Sequence, residues 1–187
     1  MLRSFLAVEL PKPILKKVEE VQADLKSSPI DVKWVHSEQI HLTLKFFGNI
    51  EESKIEPIIK SVEGLSQTTS PFPLAVQGMG VFPHLKNPRV IWIGLIDTKE
   101  ILIPFQKGLE EQFEKIGFQA ENRSFHPHLT LGRMKSGRGK EELASRIEKY
   151  REVELGEFQV EEVVLYKSDL RPTGSIYTAL REIKLGG

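Results

Sequence analysis

The sequence predicts an α+β protein: two pseudo-symmetric βαβ-type lobes, with mainly antiparallel sheets flanking a central cleft. Three observations predict it. Strand-like and helix-like segments recur in the same order in both halves of the 187-residue chain. The tetrapeptide His-Leu-Thr-Leu occurs at 41–44 and again at 128–131, an offset of 87 residues. Arg3 and Arg89, each opening a strand-like run, lie 86 residues apart. Near-constant offsets through several elements mark a duplicated unit, and strands that alternate with helices in this way pack as α+β layers.

Each element has its own signal. Arg3 leads into an apolar run from Phe5 to Leu10. Pro13 to about Ser27 reads as a helix, because Ile14, Leu15, Val18, Val21 and Leu25 form one stripe and proline suits a first turn. Val32 to Val35 is short and extended, followed by Ile40 to Leu44. Beyond a Gly48 turn, a second helix is expected over about Glu51 to Gly64, and Phe72 to Phe82 closes the first unit. The second unit repeats the order. Val90 to Leu95 is a strand, and Glu100 to Lys115 a helix with Leu102, Phe105, Leu109 and Phe113 on one face and Gly117 as its stop. Phe118 to Phe125 is expected to be extended, then Pro127 to Leu131 as the second motif strand. Lys140 to Tyr150 is a helix, and Phe158 to Asp169 the matching closing strand. A last strand, Ile176 to Ile183, lies within the stretch 174–184. The units run over about 3–82 and 89–170 of a single bilobal domain spanning 1–187; the Pro83 to Pro88 segment joining them is a loop rather than a flexible linker.

Composition narrows the function classes. Apolar residues at 40% and charged residues at 28% exclude a disordered chain. Basic and acidic residues number 26 each, which argues against a general basic surface but leaves room for a local basic cleft. The absence of cysteine removes thiol nucleophiles, disulfides and thiolate metal sites. The run Phe5 to Leu10 is too short for a signal peptide and meets Glu9 and a proline at once, and no apolar stretch approaches a membrane span. A cytoplasmic protein without membrane contact is expected.

The paired motif carries the chemistry. Alternation in a strand puts Leu42 and Leu44 on one face and His41 and Thr43 on the other; Leu129 and Leu131 likewise oppose His128 and Thr130. Leucines in the core fix the register, so each His–Thr pair looks into a cleft. Imidazole exchanges protons near neutral pH, and a hydroxyl two residues away can donate to a phosphate oxygen. Two histidines flanking one phosphorus supply a base for the entering water and an acid for the leaving oxygen. Neither a metal nor a cofactor is required by that arrangement. One such motif alone is weak evidence; two at matching repeat positions are not.

These residues resemble the two-histidine phosphoesterase superfamily, whose mark is a pair of His-x-Thr/Ser-x motifs in a duplicated chain. Within it they most resemble the bacterial and archaeal RNA 2′,3′-cyclic phosphodiesterases, also called 2′-5′ RNA ligases. The likeness spans almost the whole length, including Arg3 to Leu10, Trp34, His41 to Gly48, Gly80 to Pro83, Arg89 to Gly94, Pro127 to Arg133, Leu165 to Ser168 and Tyr177. The resemblance implies hydrolysis of an RNA 2′,3′-cyclic phosphate to a 2′-phosphomonoester, with 2′-5′ joining as the reverse type of reaction. It implies His41 as general acid and His128 as general base, an order that the symmetry of the motifs does not decide, and Thr43 and Thr130 as phosphate-binding groups. The implied partners are RNA ends, such as tRNA halves, or cyclic nucleotides. A monomer is the simplest expectation for two complete lobes in one chain. The alternatives are a phosphodiesterase for small non-RNA cyclic phosphates and a nucleotide-binding module without turnover.

Other residues are read more plainly. Arg133 is out of strict phase with His128 and reaches substrate phosphate only if Gly132 allows a bulge or twist; a salt bridge is the alternative. Lys45 and Phe47 continue the His41 face, so they are candidates to line the groove. His126 with His128 forms a His-x-His that could ligate zinc, but neither cysteine nor an acidic cluster stands beside it. His36, His84 and the basic loop Lys135 to Lys140 are expected to be solvated. Phe5, Phe105, Phe113, Trp34 and Trp92 are expected in the core.

Overall fold

The structure, a computed structural model, describes residues 1–171 and 174–187. In chain order the elements are β1 (Leu2–Glu9), α1 (Lys12–Lys26), β2 (Val32–Trp34), β3 (His41–Ile50), α2 (Ile55–Ser66), β4 (Phe72–Phe82), β5 (Val90–Ile96), α3 (Leu102–Lys115), β6 (His128–Met134), α4 (Lys140–Lys149), β7 (Glu154–Val160), β8 (Glu162–Arg171) and β9 (Gly174–Lys184). The helices start and stop close to where their apolar stripes do. Gly117, with φ at +91°, ends α3 as its sequence position suggested. No helix among the described residues is long and apolar enough to cross a membrane.

The fold is α+β. Every strand pairing is antiparallel, and the strand order is β7-β4-β5-β6-β3-β1-β8-β9, with β2 added beside β6. The two halves of this sheet touch at one rung, Leu42 opposite Leu129, where β3 meets β6. Strands are exchanged between the sequence repeats. β4, which closes the first repeat, pairs with β5 of the second. β8, which closes the second, pairs with β1 of the first. Helices follow the same rule. Gln22 of α1 bonds β6 and Asp24 meets Arg146 of α4, so α1 and α4 back one half. Gln106 of α3 bonds β3, and α2 packs on α3 and β9 behind the other.

Two sequence expectations need correction. Residues 118–125 form no strand. Phe118 and Phe125 pack partly on the core, but the polar stretch between them offers no apolar alternation to bury. The single closing strand expected over 158–169 is two strands broken at Glu161. Phe158 and Val160 bury in the half containing β4, whereas Val163 and Leu165 bury beside β1. A continuous apolar run thus conceals a passage from one half to the other.

Candidate active site

The site is built on the rung that joins the halves. Leu42 and Leu129 are buried on one face of the strand pair. Alternation therefore turns His41, Thr43, His128 and Thr130 to the other face, where all four line one hollow of about 530 Å³. Because β3 and β6 are antiparallel about that rung, the two motifs face each other head to tail.

Directly after each motif the alternation breaks in the same way in both halves. β3 carries one extra residue against β1, Leu44, since Ala7 pairs with Thr43 and Leu6 with Lys45. β6 carries one extra residue against β5, Leu131, since Trp92 pairs with Thr130 and Ile91 with Gly132. Each bulge sends two consecutive residues to the core side and reverses the phase of those that follow, in β3 as far as a second irregularity at Phe47. Arg133 consequently turns into the hollow with His128 and Thr130. The same reversal overturns the expectation for Lys45 and Phe47. Lys45 is 5% exposed and donates to Glu110 at 2.7 Å and to the Gln119 carbonyl at 2.8 Å. Phe47 packs edge-on against Phe113 and Phe118, at 4.9 and 5.0 Å between ring centroids. The groove residue on that strand is Phe46, with the Arg3 guanidinium 4.3 Å above its ring centroid.

A buried glutamine holds each bulge. Gln106 Nε2 donates to the Leu44 carbonyl at 3.2 Å. Gln22 Nε2 donates to the Leu131 carbonyl at 2.9 Å and to the Val35 carbonyl at 2.8 Å. Each amide thus gives a buried carbonyl at a bulge a donor, and Leu131 also accepts from Val35 N at 2.9 Å. The signal for these residues was present in the sequence: a glutamine on the apolar stripe of the first helix in each half.

The histidines are oriented from behind and depleted of protons by burial. Nδ1 of His128 bonds the His126 carbonyl at 2.7 Å, and His41 makes a backbone hydrogen bond with Gln39, again two residues back. With Nδ1–H of His128 donated to a carbonyl, its Nε2 is left free for the hollow. His41 Nε2 lies 3.1 Å from Thr43 Oγ1. Burial lowers the pKa of His41 to about 4, against the opposing pull of the Gln39 bond. Burial also lowers that of His128, helped by the nearby charges of Arg133 and His126. Aromatic rings pack around both. Phe5 stacks on His41 with centroids 4.8 Å apart and Tyr177 meets it edge-on at 5.6 Å, while Phe82 stands edge-on to His128 at 5.0 Å.

The fixed charges on the rest of the lining are all positive. Arg3, Lys33 and Arg133 face the hollow, His36 stands on the same wall, and among its described lining residues there is no carboxylate. A chain of zero net charge has thus sorted its charges so that this concavity attracts anions. Phe5 and Trp34, expected only in the core, also form part of its wall, as does Tyr177. His84 and the loop 135–140 lie outside it. That loop is tied down instead: Ser136 donates to Asp31 at 2.6 Å, and Arg138 approaches the same carboxylate. His126 is exposed, and no group of three or more His, Asp or Glu among the described residues is arranged to hold a metal.

The chain is similar to known proteins along nearly its whole length. The profile of the LigT-like phosphoesterases matches twice, over residues 8–92 and 95–177, once for each half. An RNA 2′,3′-cyclic phosphodiesterase of Methanothermobacter thermautotrophicus is 39% identical over 98% of this chain and 98% of its own. One from Methanocaldococcus jannaschii is 36% identical over 97% and 99%. The crystal structure of TT0787 of Thermus thermophilus superposes with a TM-score of 0.86 at 28% identity, covering 100% of this chain and 99% of that one. Escherichia coli LigT complexed with 3′-AMP does so with a TM-score of 0.77 at 26% identity, covering 100% and 99%. With the family profile recovered in both halves and relatives aligned end to end, this chain belongs to the LigT-like phosphoesterases.

Proposed function

We propose that the protein hydrolyses 2′,3′-cyclic phosphate ends of RNA to 2′-phosphomonoesters, with His41 and His128 as the acid–base pair. One observation carries the reading: both histidines and both threonines line a single anion-attracting hollow, symmetrically about the Leu42–Leu129 rung. Water attacks the phosphorus in line with the 3′ oxygen. One imidazole takes the water proton, the other gives its proton to the departing 3′ oxygen, and the phosphate stays on the 2′ oxygen. Thr43 and Thr130 hold the non-bridging oxygens, and Arg133 stabilises the charge that gathers on them.

The acid must carry a proton, yet His41 has a pKa of about 4. A bound cyclic phosphate reverses this, because its negative charge beside the imidazole favours the protonated form. His41 is assigned as the acid and His128 as the base, so substrate binding takes up the proton that catalysis spends. The same groups serve 2′-5′ joining when a ribose 5′-hydroxyl replaces water. The protein acts in this account as a cytoplasmic monomer on RNA ends, tRNA halves among them.

The test is turnover of a 2′,3′-cyclic-ended oligonucleotide in the presence of a chelator, with identification of the product. A 2′-phosphomonoester is expected. His41→Ala and His128→Ala should each lower kcat by about 10²- to 10⁴-fold with the fold retained. Wild-type rates in either variant, or release of a 3′-phosphomonoester, would refute the assignment.

A further inference from the structure

β2 is only three residues long, yet it brings a lysine to the wall of the hollow. Lys33 stands directly across from Arg133, and both are exposed and line the same space. Like charges placed opposite each other on neighbouring strands destabilise a sheet. Nothing relieves this pair: no salt bridge to Lys33 or Arg133 occurs among the described residues. Asp31, the carboxylate nearest Lys33 in sequence, is engaged with Ser136 and Arg138. The segment is also held firmly. Val35 N donates to the Leu131 carbonyl at 2.9 Å, and buried Gln22 spans the Val35 and Leu131 carbonyls. A rigid cationic rung that the protein itself leaves uncompensated is suited to an anion from outside.

Its position says which anion. Arg133 reaches the phosphate held between the imidazoles from β6, and Lys33 stands one strand further out, about 5 Å away across the ladder, so its ammonium faces the space beyond that phosphate. A cyclic mononucleotide has no second phosphate to place there. An RNA strand has one, the phosphodiester on the 5′ side of its terminal nucleotide. We propose that Lys33 seats that upstream phosphodiester, so that an RNA oligonucleotide rather than a cyclic mononucleotide is the preferred substrate. This deepens the phosphodiesterase reading above and rests on it.

The experiment compares kcat/KM for three substrates: a 2′,3′-cyclic mononucleotide, the dinucleotide with the same cyclic end, and that dinucleotide with a neutral methylphosphonate in place of its internal phosphodiester. The wild-type protein should favour the charged dinucleotide over the mononucleotide by about tenfold or more, roughly what one charge-assisted hydrogen bond provides. The methylphosphonate should lose that preference. Lys33→Ala should collapse the dinucleotide-to-mononucleotide ratio towards one, and Lys33→Arg should preserve it. Raising the salt concentration should shrink the ratio in the wild type. A wild-type ratio near one, or a preference that survives in Lys33→Ala, would overturn the proposal. A preference abolished by Lys33→Ala but retained with the methylphosphonate would assign the lysine to sugar or base, and overturn the phosphate seat. Inactivity of the wild type on all three would instead overturn the phosphodiesterase reading, and this inference with it.

Discussion

At the scale of single residues, the burial of His41 couples its protonation to the stability of the fold. Its pKa is about 4 in the folded protein, against about 6.5 in an unfolded chain. Between those values the unfolded chain binds a proton that the folded one does not. Stability from this group is therefore fully present above pH 6.5 and is lost as the pH falls towards 4, by about 3 kcal/mol in all. His41→Gln should remove that component. Denaturant unfolding from pH 7 to pH 4 should show a shallower decline for the variant than for the wild type, and parallel curves would show that the imidazole titrates normally in place. The four motif residues were legible from sequence because a strand's alternation is rigid and each leucine pins its neighbours. Arg3, Lys33 and Tyr177 were not recognised as lining residues. They arrive from β1, β2 and β9, and no local pattern records which distant strands will share a wall.

At the scale of elements, the two bulges decide which side chains the hollow receives. Strict alternation would have sent Lys45 into the groove and Arg133 out of it, and the extra residues Leu44 and Leu131 invert both outcomes. A bulge has no reliable signature in one sequence, because it depends on the register of the partner strand. This is why the reading failed at Lys45 and Phe47 yet left Arg133 conditional on a bulge. Gln106→Leu removes a donor from the Leu44 carbonyl, and Gln22→Leu removes one from each of the Leu131 and Val35 carbonyls, Leu131 keeping its bond from Val35 N. Each should cost about 1–3 kcal/mol, measured by denaturant unfolding, since leucine keeps the volume but not the hydrogen bonds. The Gln22 variant should suffer more, as it loses two partners. Unchanged stability in both would mean that the bulges hold themselves.

At the scale of the whole molecule, the repeats are legible in sequence but their exchange is not. Offsets of 86 and 87 residues reveal a duplication. They do not reveal that β4 will pair with β5 and β8 with β1. Each repeat taken alone lacks a strand that its own sheet requires and would expose an apolar edge. Fragments 1–88 and 89–187 should therefore be unfolded or aggregated separately by circular dichroism, and should regain structure when coexpressed. Independent folding of either fragment would contradict the picture of a single cooperative unit.

A seat with near two-fold symmetry can be approached from either end, whereas a strand of RNA has a direction. Were the two copies of the motif identical beyond their threonines, a ligand could lie across the rung in two opposed poses, with the scissile oxygen facing the wrong imidazole in one of them. The third residue past each threonine differs, being aromatic at Phe46 and cationic at Arg133. A single direction of binding requires such divergence between duplicates, since the duplicated motifs alone cannot supply it.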